Sequence, residues 1–190
     1  MSLRGEQRRN SDTRGRDPRD RHTHCGGHVV HESLARGTEP DLVDVAEAKL
    51  AVVHGRVSPD EITTFFDTSF GRLAAVLDTQ AVNITGPALA LYGTVGDRSM
   101  EITVGFPVDR PIQPEAEVVA GVLPSGRTAR LVHHGSFDGL DQSWDRLRSW
   151  ITSQDLIPAG TRWEVYVTEP NPHMDPADLR TELNWSITPA

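Results

Sequence analysis

A single cysteine, Cys25, stands among 190 residues. That excludes a disulfide framework and fits a reducing cytosol. No run approaches the roughly 20 apolar residues that a membrane-spanning helix needs. The first residues carry charge but no apolar stretch of about 7–15 residues, so a secretory signal peptide is not expected. Together these features predict a soluble, cytoplasmic protein. No serine-histidine-acid order, Walker loop or HExxH motif occurs, so nucleophilic catalysis and nucleotide chemistry have no support. No cofactor is expected. Tyrosines are scarce as well: there are two, Tyr92 and Tyr166.

Residues 1–39 lack apolar periodicity. They hold eight arginines against six acids, so the formal net charge of −8 leaves −10 on the remainder. We expect a disordered polar tail over 1–39 and one folded domain over 40–190. An acidic body repels phosphates and suits a cationic ligand, so nucleic acid is not expected on the folded domain. Within the tail, HTHCGGHVVH brings His22, His24, Cys25, His28 and His31 together, all residue types that bind zinc or nickel. Their spacing matches no zinc-finger pattern and nothing apolar nearby would fold around an ion, so no metal site is expected. No pair of helices with apolar stripes can be drawn through the tail, which argues against a helix-turn-helix.

The body is organised as two copies of one unit. KLAVVHGR (49–56) reads as a strand. SPDE follows, with Ser58 as N-cap, Pro59 at the first helical position and Glu61 completing a capping box. Ile62, Phe65, Phe66, Phe70, Leu73, Val76 and Leu77 then recur at helical spacing. ALALYGTV (88–95) and MEITVGFPV (100–108) read as two strands joined by a tight GDRS turn. The second half repeats the order. RTARLVHHG is a strand, Ser136 caps a helix carrying Phe137, Leu140, Trp144, Leu147 and Ile151, and RWEVYVTEP and TELNWSITP are strands. Ser58 and Asp60 precede Ser136 and Asp138 by 78 residues, and Glu101 precedes Glu182 by 81. EVVAGVLPSG (117–126) adds a strand between the halves. Two β-α-β-β repeats with both helices on one sheet face are expected.

Alternation along RWEVYVTEP puts Trp163, Val165 and Val167 on one side and Arg162, Glu164, Tyr166 and Thr168 on the other. If the tryptophan side meets a helix, Glu164 points to the opposite sheet face. On the residues alone, Glu164 is either a solvated strand residue or the floor of a pocket that receives a cation. Glu182 and Glu101 sit at the starts of the terminal strands, where a structural role and a catalytic one are both open. Trp144 lies on the helix stripe and reads as core. Trp150 falls one position off it and could reach a cleft edge. Trp185 and Phe106 are read as packing against a helix or lining a cleft. Of His133 and His134, one is expected to be a satisfied structural histidine.

AGVLPSGRTARLVHHGSFDGL, SWDRLRSWI and WEVYVTEPNPHMDPADLRTELNWSI together resemble the GyrI-like small-molecule-binding family, also called the AraC-type effector-binding domain. The resemblance covers roughly residues 40–190. It implies an α+β fold of two β-α-β-β repeats with pseudo-two-fold symmetry, an antiparallel sheet with helices on one face, and a central ligand cleft. By motif, Glu164 corresponds to the family's strand glutamate at the bottom of an aromatic pocket. The resemblance thus implies a stand-alone protein that senses or sequesters a hydrophobic or cationic aromatic drug or toxin. The cleft would be lined by Tyr166, Tyr92, Trp150, Phe106 and Trp185. Two other roles occur in the family. One is a hydrolase that opens strained cyclopropane rings of DNA-alkylating natural products, for which Glu164 and Glu182 would be the catalytic candidates. The other is a module that inhibits a protein such as gyrase.

Overall fold

The computed structural model describes residues 38–95, 99–169 and 173–188. The histidine cluster of the tail and most of the turn read at 96–99 lie outside them. In chain order the elements are β1 (Asp41–Val45), β2 (Ala48–Val57), α1 (Ile62–Thr79), β3 (Leu89–Val95), β4 (Met100–Pro107) and β5 (Val118–Leu123). They continue with β6 (Gly126–His134), α2 (Leu140–Ser153), β7 (Ile157–Tyr166) and β8 (Arg180–Thr188). The fold is α+β, with one eight-stranded antiparallel sheet in the order β1-β6-β8-β7-β3-β4-β2-β5.

Both helices are entered through a short turn that begins at the expected serine, but only Ser58 forms the capping box, and the Ser136 side chain makes no capping hydrogen bond. The Ser58 backbone N–H donates to the Glu61 carboxylate at 3.1 Å, and a short 3-10 turn, Pro59–Glu61, leads into α1. Ser136 precedes the matching turn Phe137–Gly139 ahead of α2. His133 anchors that second start. Its ring nitrogens lie 2.8 Å from the Ser143 hydroxyl and 2.9 Å from the Ser136 carbonyl, and the residue is buried. His133→Ala should therefore cost about 1–3 kcal/mol, since a buried side chain is truncated and two half-buried partners lose their hydrogen bonds. A urea midpoint unchanged from wild type would show that this link is not holding the helix start.

The strand order reads the same from either end once each strand is replaced by its counterpart in the other repeat. That is the mark of a pseudo-two-fold axis between β3 and β7. The repeats also trade edge strands. β1 pairs with β6 of the second repeat, and β5 pairs with β2 of the first. β1 was not expected from the sequence. DLVDV is five residues long with two acids, and its partner strand is far away, with Asp41 opposite Arg130. β7 also begins earlier than expected, at Ile157. Pro158 and Gly160 read as loop, and the pairing with β8 slips between Pro158 and Arg162.

This exchange curls the sheet. β1 and β2 are six strand positions apart, about 29 Å if the sheet were flat, yet two residues, 46 and 47, connect them. Those can span only about 11 Å. The link from β5 to β6 is equally short. The sheet edges must therefore approach each other, and the face without helices becomes the inside of the curl. Trp163, Leu50, Val52, Leu89 and Leu123 are buried there, with Val45, Leu91 and Val165 against them.

The strand faces are thus assigned the other way from the conditional expectation. Trp163 and Val165 point into the curl, away from both helices. Glu164 is aligned with Ala90 of β3 and Leu183 of β8. Ala90 packs in the α1 cluster and Leu183 in the α2 cluster. Glu164 is therefore on the helix face. The physical reason is that curling supplies a second apolar interior, and the largest side chain of β7 fills it.

Candidate ligand-binding site

Each helix covers its own repeat. α1 packs chiefly over β2 and β4, and α2 chiefly over β6. The central pair β3–β7 lies between the helices, and Glu164 is on it. This carboxylate is 4% exposed. Burying a charge without partners would cost several kcal/mol, and three donors are in place. The Tyr92 hydroxyl donates to Oε2 at 2.8 Å, and the Tyr166 hydroxyl donates to the same oxygen at 2.9 Å. Trp144 Nε1–H, from α2, donates to Oε1 at 2.9 Å. Ala90, directly opposite Glu164, is small enough to leave room for the two phenols to converge. Burial, together with the neighbouring Glu164 charge, pushes both phenols well above the ordinary tyrosine range. They stay protonated and act as donors.

Aromatic rings spread outward from this centre. Tyr166 meets Phe66 of α1 and Phe137 edge-to-face, each at 6.0 Å. Phe66 continues to Phe65 and to Phe70, and Phe70 to Phe106. Trp144 meets Trp185 edge-to-face at 6.0 Å. The chain has eleven aromatic residues, and nine of them join this network around one carboxylate. Most are half-buried, so ring edges remain accessible.

Arg162 lies two residues before Glu164 on the same strand face. Tyr92 and Trp185 are opposite it on β3 and β8. Its guanidinium carbon is 5.9 Å from the Tyr92 ring centre, 5.5 Å from Trp144 and 5.9 Å from Trp185. A cation within about 6 Å of a ring centre is attracted by its π face. Tyr92 and Trp144 therefore serve both charges, donating to Glu164 and stacking against Arg162.

The structure brings Tyr92 and Tyr166 onto Glu164, places Trp185 one ring away, and sets Phe106 at the far end of the phenylalanine chain. Trp150 joins the apolar cluster under α2. Trp144, read as core, is half-buried and hydrogen-bonded to Glu164. Its spacing on the helix stripe was correct, but the N-terminal end of that stripe overhangs the central strands. Phe66, Phe137 and Arg162 were not singled out. For Arg162 the available signal was its position beside Glu164 in the strand alternation.

Glu182 does not reach this centre. It is opposite Val132 and Val165, inside the curl, where Asn184 Nδ2 donates to it at 3.0 Å and Arg130 lies 3.8 Å away. Burial raises its pKa, while Asn184 and Arg130 oppose the rise. Glu101, its counterpart, is exposed and pairs with Arg56 at 3.2 Å. His134 is exposed, and partial burial beside Arg180 and His133 lowers its pKa. A shallow depression of about 540 Å³ is lined by His54, Leu91, Tyr92, Glu101, Thr103 and Thr161. His54, Leu91 and Thr103 face away from the helices, so this hollow opens on the other side of the sheet and shares Tyr92 with the Glu164 centre.

Among the described residues, no helix is long and apolar enough to cross a membrane. A search of curated protein sequences finds no match. Solved structures share the fold. The C-terminal domain of EcmrR superposes with a TM-score of 0.71 at 15% identity, covering 80% of this chain and 98% of that one. In the cryo-EM complex of EcmrR with DNA the TM-score is 0.72 at 15% identity, and the match covers 80% of this chain but only 58% of the regulator. The chain thus spans little more than half of the intact EcmrR. A hydrolase from Listeria innocua matches with a TM-score of 0.58 at 12% identity, over 82% of this chain and 94% of its own. SAV2435 bound to tetraphenylphosphonium matches with a TM-score of 0.57 at 14% identity, over 79% and 94%. The family model for the GyrI-like small molecule binding domain matches residues 38–187, and the chain belongs to that family.

Proposed function

We propose that the strip between α1 and α2 is a binding cleft for a hydrophobic aromatic small molecule, and that the protein senses or sequesters such a compound. The observation that carries this reading is the gathering of nine aromatic residues around one buried carboxylate that accepts three hydrogen bonds. Half-buried rings offer stacking surface, and a few fixed polar groups in their midst give orientation, as in other small-molecule sites. The aryl ligand of SAV2435, a protein of the same fold, suggests the class of probe.

Triphenylphosphine oxide, followed by tryptophan fluorescence, tests the reading. Wild type should bind it. Glu164→Gln keeps the shape, but its amide NH₂ must face Trp144 or the tyrosines, which are donors themselves. The rearranged floor should weaken binding by roughly 1–3 kcal/mol. Equal affinity in both proteins would place the binding site elsewhere.

Hydrolysis of a strained ring is the second reading, because a carboxylate and two hydroxyls converge within 2.9 Å. Glu164 would take a proton from water as the oxygen attacks the cyclopropane carbon. The released C–C electron pair would move to the dienone oxygen, and a tyrosine would donate to that oxygen. Three donors already occupy Glu164 and it is 4% exposed, which leaves a water little access to it, and for that reason binding is the first reading. Incubation with a spirocyclopropyl-dienone alkylator separates the two: multiple turnovers seen by mass spectrometry would establish the enzyme, and stoichiometric capture the binder.

A further inference from the structure

We propose that Arg162 is the resident cation of this cleft, and that it selects a neutral aromatic ligand bearing a hydrogen-bond acceptor over an organic cation. This rests on the cleft being the binding site. Strand register sets the cage: Tyr92 and Trp185 flank Arg162 across β3 and β8, and Trp144 closes it from α2. The three faces that would hold an incoming cation already hold a guanidinium at 5.5–5.9 Å. The other attraction for a cation is Glu164, whose two oxygens accept Trp144, Tyr92 and Tyr166. Arg162 and Glu164 are about 7 Å apart along one strand face, so their charges offset each other at the floor. A cation entering there meets a like charge that is half-buried among the rings. A carbonyl or phosphoryl oxygen meets a guanidinium instead, a group that only donates. The acidic surface of the body does not reverse this choice, because ionic strength near 0.15 M screens exposed charge beyond about 8 Å.

The test is calorimetric titration of the full chain at that ionic strength with tetraphenylphosphonium and with triphenylphosphine oxide. Wild type should prefer the oxide at least tenfold. Arg162→Met keeps the length and apolar bulk and removes the charge. In it, the phosphonium should gain at least tenfold and the oxide should weaken. The change in the affinity ratio between the two proteins does not depend on the probes' differing shapes. Wild type that prefers the phosphonium overturns the proposal, as does an unchanged ratio in Arg162→Met. If Arg162→Met gives no cooperative melt, Arg162→Gln and the wild-type preference decide. Failure of wild type to bind either probe overturns the cleft reading itself and this proposal with it. Binding with the wrong charge order overturns only the role of Arg162.

Discussion

Trp163→Ala should lower the stability of the domain by about 3–5 kcal/mol, the range for truncating a buried large aromatic. At this chain length that corresponds to a fall in melting temperature of roughly 6–20 °C. The reason lies in the curl. Trp163 is 2% exposed and packs with Leu50, Val52, Leu89 and Leu123 of β2, β3 and β5, and Val45 joins them from β1 at the opposite edge of the sheet order. No helix covers this face, so nothing can collapse into the space that the indole leaves. A denaturant midpoint consistent with a loss below about 1 kcal/mol would mean that the inside of the curl is not a packed core.

Arg130→Met should cost about 3 kcal/mol near neutral pH, toward the low end for breaking a buried ion pair. Arg130 is 6% exposed and bridges two acids. Its Nε and Nη2 donate to Asp41 at 3.2 and 2.9 Å, and Nη1 lies 3.8 Å from Glu182. The Asp41 side chain is 43% exposed and can return to water, whereas Glu182 at 17% cannot. The loss should depend on pH. Burial holds the pKa of Glu182 above its ordinary value of 4.5, and removing the guanidinium raises it further. Below 4.5 both folded and unfolded chains carry the proton, so the penalty is absent. It grows as pH rises above 4.5 and levels off once the folded value is passed. Arg130→Met with Glu182→Gln should recover at least half of the loss. A loss that stays constant from about pH 4 to 7 would point to the packing of the arginine stem instead.

Much of the fold was legible because it is local. The capping box at Ser58, the matching serine at 136 and the two helix stripes are encoded in neighbouring residues. β1 and the trade of edge strands were not legible, because pairing Asp41 with Arg130 is a long-range event that DLVDV does not announce. The side on which Glu164 lies stayed conditional in the sequence for the same reason. Alternation separates Trp163 from Glu164 but cannot say which of them meets the helices, and the deciding curl comes from two-residue links between distant strands. At the site, Glu164 and the two tyrosines were legible through motif and alternation. Trp144 and Arg162 needed tertiary geometry, since each acts through partners on other elements.

The short links between traded edge strands also limit how the protein can respond to a ligand. Each half of the chain holds the outermost strand of the other half, so the two cannot swing apart about a hinge in clam-shell fashion without tearing β1 from β6 or β5 from β2. In the proposed cleft, entry to the floor at Glu164 would come from side chains and from the helix starts near Phe66, Phe137 and Trp144. A signal of occupancy would then leave through α1 and α2 rather than through a parting of the two halves.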